Sequence, residues 1–517
     1  MVRNNRREFL GEIGRGMLLA GLGTTLASEL RLATAADVDA TLPVLDFGAY
    51  EPLVALMQET APAELTPKLV EKIKSGTDLK TLVAAAALAN ARTFGGEDYI
   101  GFHTFMALAP AYRMAQELPK ELAPLPVLKV LYRNANRIQE FGGRKSEVLH
   151  PVEGVALPSD AVAGEYVREA TRRGDVNTAE ARFATIAAGD PGEAFNHLQF
   201  TVEDEINVHR VALAWRAWET LDIVGPAWAH SMLRQSIRFC AKEDGDRMER
   251  HGAPCAIRTL LPSLLDQYHL LGRALGTKSA DDAWIEQLAK TMFRGTHEQA
   301  ADAAAQALAE GFSPEAVGEA MALAANMLVL HDPGRPEKWA SPGKPAGSCH
   351  GDSIGVHASD AANAWRNIAR VSNPRNTVAS LIVGAYHTAG QSEWSNAVSY
   401  PLAEQLEAIT TEEPKALLAT CDEAIRAGDQ FRAAAAMARY GAQNQAPEAA
   451  FAMLLRFGTS EDGALHAEKY YNTVREEFAQ SRPAFRWNQL VALARVTASE
   501  YGRPAPGYAE ARALLGV

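Results

Sequence analysis

The sequence predicts an all-α fold, a helical bundle or solenoid-like array of two related halves. Apolar residues recur three and four apart along nearly the whole chain, the period of an amphipathic helix. The two-residue alternation of strands is almost absent. Two distant stretches repeat one another in order and spacing, the mark of an internal duplication.

At the N-terminus, Arg6-Arg7-Glu8-Phe9-Leu10 resembles the core of a twin-arginine export signal. The mildly apolar run 17–27 that follows is too short to span a bilayer. Ala33-Thr34-Ala35 supplies small residues at a cleavage spacing. The expected organisation is a signal peptide over 1–35, a helical half over 36–245 and a second over 246–517. That implies a periplasmic or exported protein with the twin-arginine translocase as a transient partner. No later stretch holds about 18 uninterrupted apolar residues, so no further span is expected.

Helical periodicity is clearest over 82–91, 205–221, 279–310, 314–330 and 415–428. Gly95-Gly96, Gly142-Gly143, Gly174-Asp175, Asp190-Pro191-Gly192 and Gly428-Asp429 mark breaks. From 331 to 355 the chain carries four prolines and five glycines, which excludes a helix and predicts a loop, disordered or functional. This Pro/Gly-rich segment, set at 331–356, contains His331 and His350 and runs into His357.

Composition narrows the partners. A formal charge of -12 argues against nucleic acid and anionic lipid, leaving a small-molecule substrate as the expected partner. Four cysteines without CxxC spacing disfavour a thiolate zinc site; Cys240 and Cys255 are the closest pair, and free buried thiols are an equal expectation.

The repeat runs from Glu169 and from Glu423. Each copy reads Glu-Ala, then Arg-x-Gly-Asp, an Ala-rich helix, a Pro, a Glu-Ala pair, a helix with a late Phe, an acidic turn and a His. Three added residues keep the register as far as His209 and His466. Upstream, Gly101-Phe102-His103-Thr104 is paired with Ala385-Tyr386-His387-Thr388. A pseudo-twofold arrangement would bring His103, His209, His387 and His466 together as ligands for iron, copper or zinc. Glu205 and Asp462 precede His209 and His466 by four residues, as further ligands or as acceptors for the second ring nitrogen. His230 is a possible addition. His357, at the end of the long loop, is the candidate acid/base. Each of these histidines has an ordinary alternative as a hydrogen-bonded core residue. GxSxG, GxxxxGK[ST], HExxH and CxxCH are absent.

Phe102-His103, Val356-His357-Ala358-Ser359 with Ala364 and Arg366, and Asp462 with His466 and Lys469 occur in an order that resembles the questin oxidase-like family. The resemblance implies oxygen chemistry on an aromatic or other small organic substrate at non-haem iron, with His103, His357 and His466 in the site. The exported N-terminus and the Pro/Gly-rich loop depart from that pattern. Lys469, one turn from His466, is a base of lowered pKa, a carbamylated ligand or a surface side chain. The expectation is an exported metal-dependent oxidoreductase. Its rivals are a metal-dependent hydrolase on the same site and a non-catalytic helical scaffold.

Overall fold

Helix propensity and apolar periodicity are realised throughout. In a computed structural model describing residues 43–158, 162–392, 395–443 and 445–517, the chain is all-α. The signal expected over 1–35 lies outside the described residues. Among the described residues the only β pairings are three isolated bridges.

Leaving aside helices of five residues or fewer, the order is as follows. α1 is Glu51–Glu59, α2 Pro62–Lys74, α3 Leu79–Phe94, α4 Tyr99–Glu117 and α5 Pro124–Phe141. α6 is Ala163–Arg172, α7 Val176–Ala187, α8 Pro191–Val202, α9 Val208–Glu219, α10 Ala229–His251 and α11 Ile257–Gln267. α12 is Asp282–Arg294, α13 His297–Ala309, α14 Pro314–Leu330, α15 Ile354–Val371 and α16 Pro374–Thr388. α17 is Pro414–Arg426, α18 Gln430–Ala442, α19 Glu448–Ser460, α20 His466–Gln480, α21 Trp487–Glu500 and α22 Tyr508–Leu515.

Four helices form a closed ring at the centre. α4 packs on α9 and α20, and α15 packs on the same two. Glycine permits two of the close approaches behind this ring. A Cβ on Gly101 would stand 2.5 Å from the Phe94 ring at the end of α3. One on Gly355 would stand 2.5 Å from the backbone nitrogen of Val329 near the end of α14. One large apolar core takes residues from Phe47 to Ala511 and so joins both halves of the chain. A second core lies mainly among α17 to α21.

The Pro/Gly-rich segment is an ordered loop. Across it the Arg335 N–H donates to the Ser348 carbonyl and the Gly347 N–H donates to the Arg335 carbonyl. Asp352 accepts from both Arg335 and Lys344, at 2.7 and 2.6 Å. Among the described residues all four cysteines are free and buried, so Cys240 and Cys255 stay unpaired. No helix there is long and apolar enough to cross a membrane.

Candidate metal centre

Each helix of the central ring delivers one histidine from its first turns: His103 on α4, His209 on α9, His357 on α15 and His466 on α20. The starts of three are fixed by side-chain caps. Asp98 accepts from the Gly101 N–H, Asn207 from the His209 N–H and Ser353 from the Val356 N–H. α20 has no such cap. It follows three consecutive left-handed residues, Gly463, Ala464 and Leu465, with φ of 50°, 47° and 68°. For Ala and Leu that conformation is strained, and it turns His466 inward.

The four imidazoles close a quadrilateral. Ring centres are 4.8 Å apart for His103 and His209, 5.8 Å for His209 and His357, 5.2 Å for His357 and His466, and 5.4 Å for His466 and His103. Imidazoles on adjacent positions of one ion, with metal–nitrogen bonds of about 2.0–2.1 Å, would have ring centres about 4.5–5 Å apart, close to the four sides here. The Nε2 atoms of His357 and His466 are 3.2 Å apart. Adjacent ligand atoms on such an ion stand about 2.9–3.4 Å apart.

Hydrogen bonds set the tautomers. His103 Nδ1 donates to the Tyr99 carbonyl at 2.6 Å, His209 Nδ1 to Asn207 Oδ1 at 3.1 Å and His466 Nδ1 to the Ala464 carbonyl at 3.1 Å. Each ring thereby keeps its Nε2 lone pair free for a metal. The covered Nε2 atoms of His103 and His209 meet no hydrogen-bond partner among the described residues. Burial, together with the nearby Lys469, holds His103, His209 and His466 well below the usual imidazole range and His357 at about 4. The rings are therefore neutral at physiological pH, the form that binds metal. Among the described residues no group of three or more His, Cys, Asp or Glu side chains has the geometry to hold a metal ion as it stands, so the four rings are neighbours without a preformed coordination set.

One turn further along the same helices lies a small cavity. Its wall includes Met106, Ala212, Asp360 and Lys469, the residues three beyond the four histidines, with Trp215, Arg216 and two of the rings, His209 and His357. It leaves about 10 Å³ for the centre of a water-sized sphere. Burial brings Lys469 down to about 8, and it pushes the Asp360 carboxyl up. The Thr473 hydroxyl donates to Asp360 at 2.8 Å.

Other candidates stand elsewhere. Glu205 precedes α9 rather than lying on it, accepts from the Ile206 N–H and pairs with Arg247. Asp462 sits before the left-handed turn, where it pairs with Arg133. The four-residue helical face expected for both acids does not form, because each acid lies ahead of the helix that carries its histidine. His230 packs near Phe183, and burial lowers it to about 4. His387 accepts the Trp365 indole N–H at Nδ1, at 3.2 Å, and is not one of the four rings. The place expected for His387 is taken by His357. The sequence carries the signal: Ile100-Gly101-Phe102-His103 matches Ile354-Gly355-Val356-His357. Trp215 and Arg216 were not anticipated; continuing the helical face from His209 by seven residues reaches Arg216.

No family model, curated protein or solved structure matches this chain.

Proposed function

We propose that this chain is an exported metal-dependent oxidoreductase with one ion, iron by the questin oxidase-like resemblance, held by His103, His209, His357 and His466. The observation that carries the reading is the closed ring of four buried imidazoles, three of which commit Nδ1 to an oxygen and leave Nε2 over for a ligand. A redox-active ion held there supplies electron transfer to dioxygen at the positions the histidines leave open. The protein excludes bulk water, fixes the ring tautomers and positions Lys469 beside the cavity. With its pKa near 8, Lys469 is mostly cationic at neutral pH and exchanges a proton at Nζ close to it. The cavity is far smaller than an aromatic substrate, so such a substrate reacts at the wall or enters as helices part. The clustering speaks against the scaffold reading, which needs the histidines scattered.

The reading includes a duplication, with α1–α11 and α12–α22 as the two copies. His103 then corresponds to His357 and His209 to His466, and the second copy starts at α12 rather than at residue 246. Three parallels support it. α7 and α18 start with Asp175 and Asp429 at nearly identical angles, φ -87°, ψ 83° and φ -88°, ψ 85°. Gly101 and Gly355 each abut the helix before their own. α11 packs on α13 and α16, and α22 reciprocally on α2 and α5.

The test is metal analysis and dioxygen uptake on full-length chain prepared without a nickel tag. Wild type should carry about one ion per chain and consume dioxygen with a hydroxylated aromatic substrate. The H103A and H466A variants should lose both while keeping helical circular dichroism. A folded wild type with no bound iron, copper or zinc ends the proposal. Replacement of Arg6 and Arg7 by Lys should trap the chain in the cytoplasm; unchanged export removes the twin-arginine assignment.

A further inference from the structure

The cavity one turn beyond the histidines has its own chemistry. Its polar wall holds two cationic side chains, Arg216 and Lys469, and one carboxylate, Asp360. Arg216 is 5% exposed, and its guanidinium stays charged at any physiological pH. Glu219, its counter-ion at 2.5 Å, is not part of the wall and is shared with Arg113, also at 2.5 Å. Arg113 in turn pairs with Glu476, which accepts from Asn363, Asn367 and Asn472. The carboxylates paired with Arg216 and Arg113, Glu219 and Glu476, are not in the wall, and Asp360 is the one acidic side chain there against the two cations. Asp360 is occupied by the Thr473 hydroxyl, and burial favours its neutral form.

Two further features have the same sign. The indole Nε1 of Trp215, in the same wall, is buried and has no acceptor among the described residues. The four central helices all start near the site, because each histidine lies in the first turns of its helix. Helix N-termini carry partial positive charge, and four of them favour an anion nearby.

Resting on the metal-centre reading above, we propose that this cavity binds a small monoanion of two or three heavy atoms, held by Arg216 and Lys469 with the Trp215 N–H and lying beside the histidine-bound ion. The free space, about 10 Å³ and so close to room for one water, restricts the ligand to the smallest anions, seated with small shifts of the lining side chains. Reduced dioxygen species, azide and formate belong to this class, and an aromatic ring does not.

The test uses the full chain loaded with cobalt(II), whose visible spectrum reports its ligands. Azide should change that spectrum saturably. In R216Q azide affinity should fall at least tenfold while cobalt affinity changes less than threefold, and R216K should recover part of the loss. Acetonitrile, a neutral ligand of similar size, should bind wild type and R216Q alike. Should R216Q fail to fold, R216K against wild type makes the same comparison. Equal azide affinity in the wild type and the Arg216 variants overturns the proposal, as does a cobalt-loaded chain blind to azide. A chain that takes up no cobalt removes the metal centre and this site together.

Discussion

At the scale of single residues, the site is assembled at a local cost. Ala464 and Leu465 hold left-handed backbone immediately before His466, where only glycine rests without strain. The turn is held by the Arg133–Asp462 ion pair and by the Asp462 N–H on the Arg503 carbonyl, at 2.8 Å. Ala464→Gly should therefore stabilise the metal-free chain by up to about 1 kcal/mol, the strain relieved exceeding the entropy gained by the unfolded chain. A thermal midpoint that falls instead would show that the Ala464 methyl is needed for packing. Glu500 gives a second residue-level prediction. Burial raises its carboxyl to about 7, and the Gly351 N–H that it accepts at 2.8 Å does not reverse this. Between about pH 4.5 and 7 the folded chain keeps a proton there that the unfolded chain has released. The stabilisation is full below that window and is lost as pH rises through it. Glu500→Gln, neutral throughout, should be more stable than wild type above pH 7 by a few kcal/mol, order of magnitude, with the gain vanishing near pH 4.5. Denaturant titrations at the two ends of the window decide it, and a gain independent of pH contradicts the assignment.

At the scale of elements, spacing and breakers locate the helices. Asp98, Asp175, Ser353 and Asp429 stand where caps are needed, and apolar periodicity marks the faces. His103, His209 and His466 were legible as candidates for one cluster because each opens or nearly opens a helix in a repeated context. His387 was misassigned because Gly101-Phe102-His103-Thr104 also fits 385–388, and local similarity does not say which helix lies beside α9 and α20. Glu205 and Asp462 were misread for a different reason. The four-residue rule holds only inside a helix, and both acids lie ahead of the helix of their histidine. The cavity wall was illegible because it depends on which faces of four separate helices meet. Gly355 tests how α15 is seated. A methyl group there meets backbone of α14, which cannot rotate away. Gly355→Ala should cost about 1–3 kcal/mol by overpacking, and it should weaken metal binding by shifting His357. Normal stability in urea would show that the two helices have slack.

At the scale of the whole molecule, burying several neutral imidazoles makes the metal-free fold acid-labile. His387 and His350 are held at about 3, and His230 and His357 at about 4, burial being the main cause throughout. Below about pH 6.5 these histidines take up protons in the unfolded chain and not in the folded one. Stability should thus fall steadily from about pH 6.5 towards 4. His387→Gln should flatten that slope by about 1.4 kcal/mol per pH unit, and an unchanged slope would mean that His387 protonates in the folded state. A metal ion at the four-histidine ring should oppose the loss, since ligand binding stabilises the folded form by mass action. The convergence of His103, His209, His357 and His466 from four helices underlies all of this. X-ray absorption on the metal-loaded full chain tests it most directly. Imidazole scattering from three or four rings, with nitrogen at about 2.0–2.2 Å, is the predicted result, and a shell of oxygen alone would contradict it.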